Sequence, residues 1–163
     1  MPTQSVNSYY LIGLGSSIAP KIDHIRSAMQ EMTHYFDVIS VSDYYFSAPA
    51  GGVATNDFVN AVVLISTTIS SENLMTKLLR IEDVLGRKRF KKWADRTIDL
   101  DILVGWNDGL FLKNNSVFCT IPHPFFYTRD FTVIPAKSVL RKAELQGIYL
   151  NFKGESWNHL SLV

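Results

Sequence analysis

The chain alternates strand-like segments with two amphipathic helical segments, and this order constrains the fold more than any other feature. Residues 8–14, SYYLIGL, form an apolar segment typical of a buried strand. Residues 38–46 are rich in β-branched and aromatic side chains, which favour a second strand. FVNAVVLIST and RTIDLDILV predict two more strands.

Two helices are predicted between these strands. Pro20 suits the first position of one helix, while Ser71 can cap the other and Gly86 is well placed to end it. The apolar residues at helical spacing are Ile22, Ile25, Met29 and Met32 in the first helix, and Leu74, Leu78, Ile81 and Leu85 in the second. The order strand, helix, strand, strand, helix, strand predicts an α+β fold, the ferredoxin-like βαββαβ sandwich. Its helices cover one face of the sheet, and extra C-terminal elements follow.

Composition predicts one soluble domain that spans residues 1–163. The sequence is 47% hydrophobic and has a formal net charge of +1, so overall charge gives no attraction for nucleic acid or a membrane. Its longest purely apolar run, residues 61–65, is far shorter than the roughly 18 residues of a membrane span. The first ten residues lack a secretion signal and Cys119 has no partner for a disulfide, so we expect a cytoplasmic protein. GIYLNFKGESW, near the end of the chain, predicts a hairpin with a turn at Gly154.

Asp99 and Asp101 lie two positions apart in the last predicted strand, soon after Arg96. Because side chains alternate along a strand, both carboxylates are expected on one face of the sheet, about 7 Å apart along the backbone. Such a pair can hold one divalent cation or two, and Mg²⁺ favours a few carboxylates completed by water and phosphate oxygens. From this pair alone, the simpler interpretation is the solvated polar face of an amphipathic strand.

The segment GRKRFKKWADR, just ahead of this strand, holds the densest positive charge in the sequence. Its basic residues are Arg87, Lys88, Arg89, Lys91, Lys92 and Arg96. Basic groups that face a carboxylate pair suit a triphosphate, since guanidinium groups bind phosphate oxygens in a bidentate manner. Two alternatives stay open here: a solvated basic loop, and a nucleic-acid patch in which Phe90 and Trp93 stack on bases.

Asn60 lies between Phe58 and another apolar residue on one face of a predicted strand. A carboxamide offers both a donor and an acceptor, so it could recognise the edge of a planar heterocycle. A backbone contact to the preceding glycine-rich loop would satisfy it equally well. The turn-rich segment IPHPFFYTRDF supplies His123, Arg129 and Phe131. A lone histidine or phenylalanine is more often structural than functional.

Together these segments resemble the 6-hydroxymethyl-7,8-dihydropterin pyrophosphokinases, a family of folate biosynthesis. The resemblance covers about residues 9–135 and is carried, in order, by LIGLGSS, YYFSAPAGG, DFVNAV, IEDVLGRKR, RTIDLDIL and IPHPFFYTRDF. Its most specific part is RTIDLDIL followed by the Pro-His-Pro turn and Arg-x-Phe. The resemblance implies a ferredoxin-like fold and transfer of diphosphate from ATP to the pterin hydroxymethyl group, with release of AMP.

The resemblance also implies roles for individual residues. Asp99 and Asp101 would hold two Mg²⁺ ions around the triphosphate of ATP, the co-substrate. The implied catalytic residues are Arg87, Arg89, Arg96, Asp99 and Asp101. The implied nucleotide-binding residues are Glu82, Trp93, Ile102, Thr120, His123 and Arg129. The implied pterin-binding residues are Ser47, Ala48, Ala50, Phe58, Asn60 and Phe131, with the pterin between the rings of Phe58 and Phe131.

Several positions depart from the usual pattern of this family, among them Leu79, which replaces a polar residue seen in some relatives. Ser17 stands where asparagine is general, and Ala50 stands where a larger apolar residue is common. Phe58 replaces a frequent tyrosine, and Asp95 occupies a place often held by proline. The metal ligands implied by the resemblance are all retained.

Two other functions were weighed against the enzyme. Ferredoxin-like folds also bind RNA, but the sequence has no RNP1-like strand, and aspartates at the centre of a strand would repel phosphate in the absence of metal. The other alternative is a catalytically silent relative kept for protein contacts. We therefore expect small-molecule substrates, no nucleic-acid or membrane partner, and a monomer, with a weak homodimer as the alternative oligomeric state.

Overall fold

The structure, a computed structural model, describes residues 6–49, 53–88, 94–108 and 110–145. The helices of these residues are α1 (Lys21–Met32), α2 (Ser71–Val84), α3 (Asp130–Glu144) and a short 3-10 helix (Phe126–Thr128). The strands are β1 (Ser8–Ser16), β2 (Asp37–Val41), β3 (Tyr45–Ser47), β4 (Phe58–Thr67), β5 (Asp99–Asn107), β6 (Leu110–Phe111), β7 (Asn114–Asn115) and β8 (Thr120–Ile121). No helix of these residues is long and apolar enough to cross a membrane.

Strand β1 lies at the centre of the main sheet. The strand order is β2-β4-β1-β5-β6, and β3 also pairs with β4. The strands of this sheet pair in antiparallel fashion. A ferredoxin-like sheet has this topology, so the predicted βαββαβ order is confirmed. Strands β7 and β8 form a separate two-stranded ribbon.

Helices cover both faces of this sheet. On one face α1 and α2 bury residues that include Ile25, Met32, Leu74 and Leu78 in a core shared with β1, β4 and β5. Helix α3, which the sequence analysis did not predict, packs on the opposite face. There its residues Val133, Ala136, Val139, Leu140 and Ala143 join Leu11, Val62 and Leu64. Since α3 covers only part of this face, the rest is open for a cleft.

The predicted strand over residues 38–46 is interrupted in the structure. The hydroxyl of Ser42 accepts a hydrogen bond from the Val62 N–H at 2.9 Å, in place of a backbone carbonyl. The pairing of β4 with β2 therefore ends at Val41 and resumes with β3 at Tyr45. A side-chain oxygen that takes the place of a backbone carbonyl as acceptor interrupts the strand, and the hydrophobic pattern of the sequence does not show this.

Other boundaries differ by a few residues. Ser70, rather than Ser71, caps α2, since its side chain accepts a hydrogen bond from the Asn73 N–H. Strand β5 begins at Asp99, later than predicted. Gly86, with a φ of +82°, lies just beyond α2 as predicted, in a backbone conformation that glycine adopts without strain. The predicted hairpin at residues 147–157 lies outside the described residues.

The pairing of Gly105 with Tyr10 across β1 and β5 requires glycine. A Cβ atom at position 105 would lie 2.6 Å from two ring atoms of Tyr10, which is only 1% exposed. Gly105→Ala is therefore expected to lower the free energy of unfolding by about 1–3 kcal/mol, measured by urea denaturation. Gly13→Ala is the matched control, because its Cβ would meet a methyl group of Leu103 at 3.3 Å and should cost less. Equal losses in the two variants would contradict this account.

A candidate active-site cleft

Two glycines of β1 form the floor of a cleft on the α3 side of the sheet. Gly15 pairs with Asn60 of β4 on one side and with Asp99 of β5 on the other. Gly13 pairs with Asp101 in the same ladder. A Cβ atom at Gly15 would lie 3.4 Å from Oδ1 of Asn60, so a larger side chain would fill the space between the two strands. The absence of side chains on β1 therefore keeps the cleft open.

The cleft encloses about 670 Å³ of empty space, part of which is open to solvent. Residues from β1, β3, β4 and β5 and from the start of α3 surround it. Its lining comprises Gly13, Leu14, Gly15, Ser47, Ala48, Phe58, Asn60, Ala61, Arg96, Asp99, Asp101, Leu103, His123, Arg129, Phe131 and Thr132. Both carboxylates of the predicted pair thus line one cavity, as the alternation of side chains along β5 predicts.

Each carboxylate oxygen of Asp99 forms a salt bridge with one arginine. Arg87 lies 2.8 Å from Oδ1, and Arg96 lies 3.1 Å from Oδ2. The same Nη1 atom of Arg87 also contacts the carboxylate of Glu82 at 2.7 Å. Glu82 is buried and accepts a further hydrogen bond from the Leu100 N–H of β5. Glu82 therefore ties Arg87 and β5 together beneath the cleft.

Asp101 has less compensation for its negative charge. Burial and the neighbouring carboxylates of Asp99 and Glu82 raise the pKa of Asp101 well above its usual range. Arg96 and Arg87 oppose this effect without cancelling it. A divalent cation beside Asp101 would supply the missing positive charge, and carboxylate oxygens suit Mg²⁺. In the parts of the chain that the structure describes, no group of three or more His, Cys, Asp or Glu side chains could hold a metal ion.

His123 and Arg129 add nitrogen donors to this end of the cleft. Nδ1 of His123 accepts a hydrogen bond from the Phe125 N–H at 3.2 Å, which leaves the proton of a neutral ring on Nε2. Burial, with a smaller contribution from Arg129, lowers the pKa of His123. Burial also lowers the pKa of Arg129. The guanidinium carbon of Arg129 lies 4.7 Å from the ring centre of Phe125 and 5.5 Å from that of Phe131.

The other end of the cleft presents aromatic rings and a carboxamide. Asn60 donates from Nδ2 to the hydroxyl of Ser47 at 2.7 Å and to the Tyr45 carbonyl at 3.4 Å. These contacts fix its orientation, and its partners are in β3 rather than in the glycine-rich loop. Phe58 and Phe131 both line the cleft. An apolar end joined to a highly charged end suits a ligand with a flat ring and an anionic tail.

Four of the predicted site residues lie outside the cleft lining. Arg87 and Glu82 lie behind Asp99, as described above, and Ile102 is buried in the core that faces α1 and α2. Thr120 is exposed on the short strand β8. Their implied roles toward the nucleotide stay predictions. The predicted residues Arg89, Trp93 and Ala50 lie outside the described residues.

The sequence analysis missed several residues that line the cleft. Gly13 and Gly15 are the most important, and two glycines at alternate positions of a buried strand are a recognisable signal of close approach. Leu103 gave no comparable signal, because it is typical of an ordinary core residue of β5, and Thr132 lies in a helix that was not predicted.

Comparison with known proteins shows the family of the chain. Residues 11–141 match the family described as 7,8-dihydro-6-hydroxymethylpterin-pyrophosphokinase (HPPK). The chain belongs to the HPPK family. The 2-amino-4-hydroxy-6-hydroxymethyldihydropteridine pyrophosphokinase of Haemophilus influenzae is 34% identical over 126 residues, which cover 76% of each chain. That of Aquifex aeolicus is 32% identical over 124 residues, which cover 76% of this chain and 75% of the relative.

A solved structure shows the same fold. The HPPK-DHPS triple mutant of Plasmodium falciparum, solved with SDX-DHP, aligns with a TM-score of 0.64 at 13% identity. The alignment covers 85% of this chain and 42% of that much longer one. At this low identity, the likeness extends to the fold alone, and it agrees with the HPPK assignment.

The contacts of Glu82 predict a structural role beneath this HPPK site. Glu82→Gln keeps an oxygen that can accept from the Leu100 N–H but removes the negative charge that faces Arg87. We expect the free energy of unfolding in urea to fall by about 1–3 kcal/mol, because the buried charge of Arg87 loses one of the two carboxylates that face it among the described residues. Asp83→Asn removes the same charge from an exposed position of α2 and should change stability by less than about 0.5 kcal/mol. A similar loss in both variants would rule out a specific role for Glu82.

Proposed function

We propose that this member of the HPPK family transfers the terminal diphosphate of ATP to the hydroxymethyl oxygen of 6-hydroxymethyl-7,8-dihydropterin and releases AMP, a step of folate biosynthesis. The observation that carries the proposal is the division of one cleft into two ends. Asp99 and Asp101 come from β5 and have Arg96 and Arg129 near them, whereas Phe58 and Asn60 come from β4 on the other side of the glycines of β1. ATP provides the anionic tail, and the pterin provides the flat ring.

The charged end would hold the triphosphate. Arg96, Arg129 and His123 would donate hydrogen bonds to phosphate oxygens, and the neutral form of His123 can do so from Nε2. Asp99 and Asp101 would hold two Mg²⁺ ions, whose positive charge supports transfer from the triphosphate. Each carboxylate oxygen of Asp99 contacts one arginine and keeps a lone pair that could bind a cation.

The apolar end would hold the pterin between Phe58 and Phe131. Oδ1 of Asn60 accepts no hydrogen bond from the described residues, so it can accept one from an N–H of the ring. The backbone near Ser47 and Ala48 would contact the same edge of the pterin. A ring held in this way would direct its hydroxymethyl group toward the charged end of the cleft.

The reaction then depends on alignment and electrostatics. The hydroxyl oxygen attacks the β-phosphorus, the bond between that phosphorus and the oxygen of AMP breaks, and the hydroxyl loses its proton. Correct placement of two bound substrates contributes several kcal/mol to the lowering of the barrier. Arginine side chains that already lie in the cleft stabilise the charge that develops on AMP as it leaves. No covalent intermediate with the protein is required.

Asp101→Asn separates the role of this carboxylate in catalysis from its effect on stability. With ATP, Mg²⁺ and 6-hydroxymethyl-7,8-dihydropterin, AMP release should fall by several orders of magnitude, since a metal ligand is lost. The thermal midpoint should stay the same or rise, because the variant removes a negative charge that the fold holds unfavourably. Asp99→Ala should show a comparable loss of turnover, and EDTA should abolish AMP release by the unmodified protein. A rate close to that of the unmodified protein in either variant would refute the metal assignment.

Phe131→Ala tests the pterin end of the cleft. Loss of a stacking ring should weaken dihydropterin binding by about 1–3 kcal/mol, measured by titration in the presence of a non-hydrolysable ATP analogue. Phe125→Ala is the matched control, because Arg129 lies against both rings but only Phe131 lines the cleft among the described residues. Unchanged affinity in Phe131→Ala, or the same loss in both variants, would remove Phe131 from the pterin site.

A further inference from the structure

The carboxylate of Asp95 joins two segments that are about 40 residues apart in the sequence. Its Oδ2 accepts hydrogen bonds from the Thr55 N–H at 3.1 Å and from the Thr55 hydroxyl at 2.8 Å. Its Oδ1 accepts from the Asn56 N–H at 3.1 Å. One side chain thus uses both oxygens to bind two consecutive residues of the loop before β4.

Ser17 anchors the same segment on its other side. The Ser17 N–H donates to the Arg96 carbonyl at 3.0 Å, and the Arg96 N–H donates to the Ser17 hydroxyl at 2.9 Å. Ser17 is only 1% exposed. The residues just before β5 are therefore fixed to the residue after β1 by Ser17, and to the loop before β4 by Asp95.

These hydrogen bonds hold the segment around Arg96, whose side chain contacts both ends of the cleft. Arg96 follows Asp95 directly, contacts Oδ2 of Asp99, and has its guanidinium carbon 5.6 Å from the ring centre of Phe58. Phe58 lies two residues after Asn56. A displacement of the loop at Thr55 relative to Asp95 would therefore also displace the ring of Phe58 relative to Arg96.

We propose that Asp95 is a positioning residue, which holds Phe58 at the aromatic end of the cleft in register with Arg96 at the charged end. The three hydrogen bonds carry the proposal, and only its catalytic consequence rests on the proposed function. Asp95 acts through Thr55 and Asn56 and does not itself line the cleft among the described residues. Burial tends to raise the pKa of Asp95, but the hydrogen bonds from Thr55 and Asn56 outweigh it and lower the pKa below its ordinary value.

Amide hydrogen exchange of the substrate-free protein tests the hydrogen bonds directly. In Asp95→Asn, one acceptor oxygen becomes an NH₂ donor, so the amides of Thr55 and Asn56 should exchange about tenfold faster. Asp57→Asn is the matched control, since Asp57 is exposed, lies in the same loop, and has no hydrogen bond from its side chain to the described residues. The control should leave both rates unchanged. Unchanged rates in Asp95→Asn, or equal acceleration in the control, would overturn the proposal.

The spectrum of labelled phenylalanine rings tests the positioning of Phe58 without substrate. Asp95→Asn should shift or broaden the ring resonances of Phe58 but leave those of Phe36, which is buried in the core on the other face, unchanged. Thr55→Val removes only the hydroxyl donor and should produce a smaller change of the same kind. Identical Phe58 resonances in the unmodified protein and Asp95→Asn would show that the carboxylate does not position this ring.

Steady-state kinetics test the consequence for catalysis. In Asp95→Asn, KM for the dihydropterin should rise about threefold to tenfold while kcat changes less than about twofold, because a misplaced ring weakens binding before and during the reaction equally. Asp57→Asn should match the unmodified protein. An unchanged KM would overturn the catalytic consequence. If the unmodified protein released no AMP, the proposed function would fail, and the exchange and ring spectra alone would decide whether Asp95 positions Phe58.

Discussion

The cleft depends on the absence of side chains at two positions of the central strand. Gly15 lies between Asn60 and Asp99 in the ladder of the sheet, and Gly13 pairs with Asp101. Because side chains alternate along a strand, the side chains of β4 and β5 on this face lie on either side of β1, where the two glycines leave a gap. The sheet thus creates a site with a carboxamide and a ring on one wall and two carboxylates on the other.

The charged side chains around Gly13 and Gly15 compensate one another only in part, so they are better suited to binding a ligand than to stabilising the empty site. Asp99 is neutralised by Arg87 and Arg96, and Glu82 holds Arg87 from below. Burial, together with the neighbouring carboxylates of Asp99 and Glu82, raises the pKa of Asp101. Buried charges that are only partly compensated cost free energy, and natural proteins retain them where a bound ion or substrate completes the set. A triphosphate with its cations would compensate both kinds of charge. The cations would balance the negative charge of Asp101, and the anionic oxygens would balance the positive charge of the arginines.

The sequence predicts the strands and helices of the βαββαβ core better than it predicts their ends or the helix α3 that follows them. The helical faces of α1 and α2 follow from periodicity, because one face of each helix is buried. Strand β4 follows instead from its continuous apolar run, because both of its faces are buried. The break at Ser42 could not be predicted, since it arises when a hydroxyl replaces a backbone acceptor on another strand. Helix α3 was obscured by its internal Pro135 and by the turn-rich segment before it. The alternation along β5 predicted the shared face of Asp99 and Asp101, but the arginine contacts of Asp99 depend on tertiary structure that no local pattern encodes.

Ser17 and Asp95, which both depart from the usual pattern of the family, restrain the same segment of the chain. A proline, which the family often has at position 95, restricts the backbone through its own ring and needs no neighbour. Asp95 instead restricts the segment through hydrogen bonds to Thr55 and Asn56, and Ser17 holds the next residue through the backbone of Arg96. The restraint on Arg96 therefore depends on the loop that leads to Phe58, so an event that orders one end of the cleft also favours order at the other. In this chain, Phe58 and Arg96 are joined by tertiary contacts where a local constraint would leave them independent.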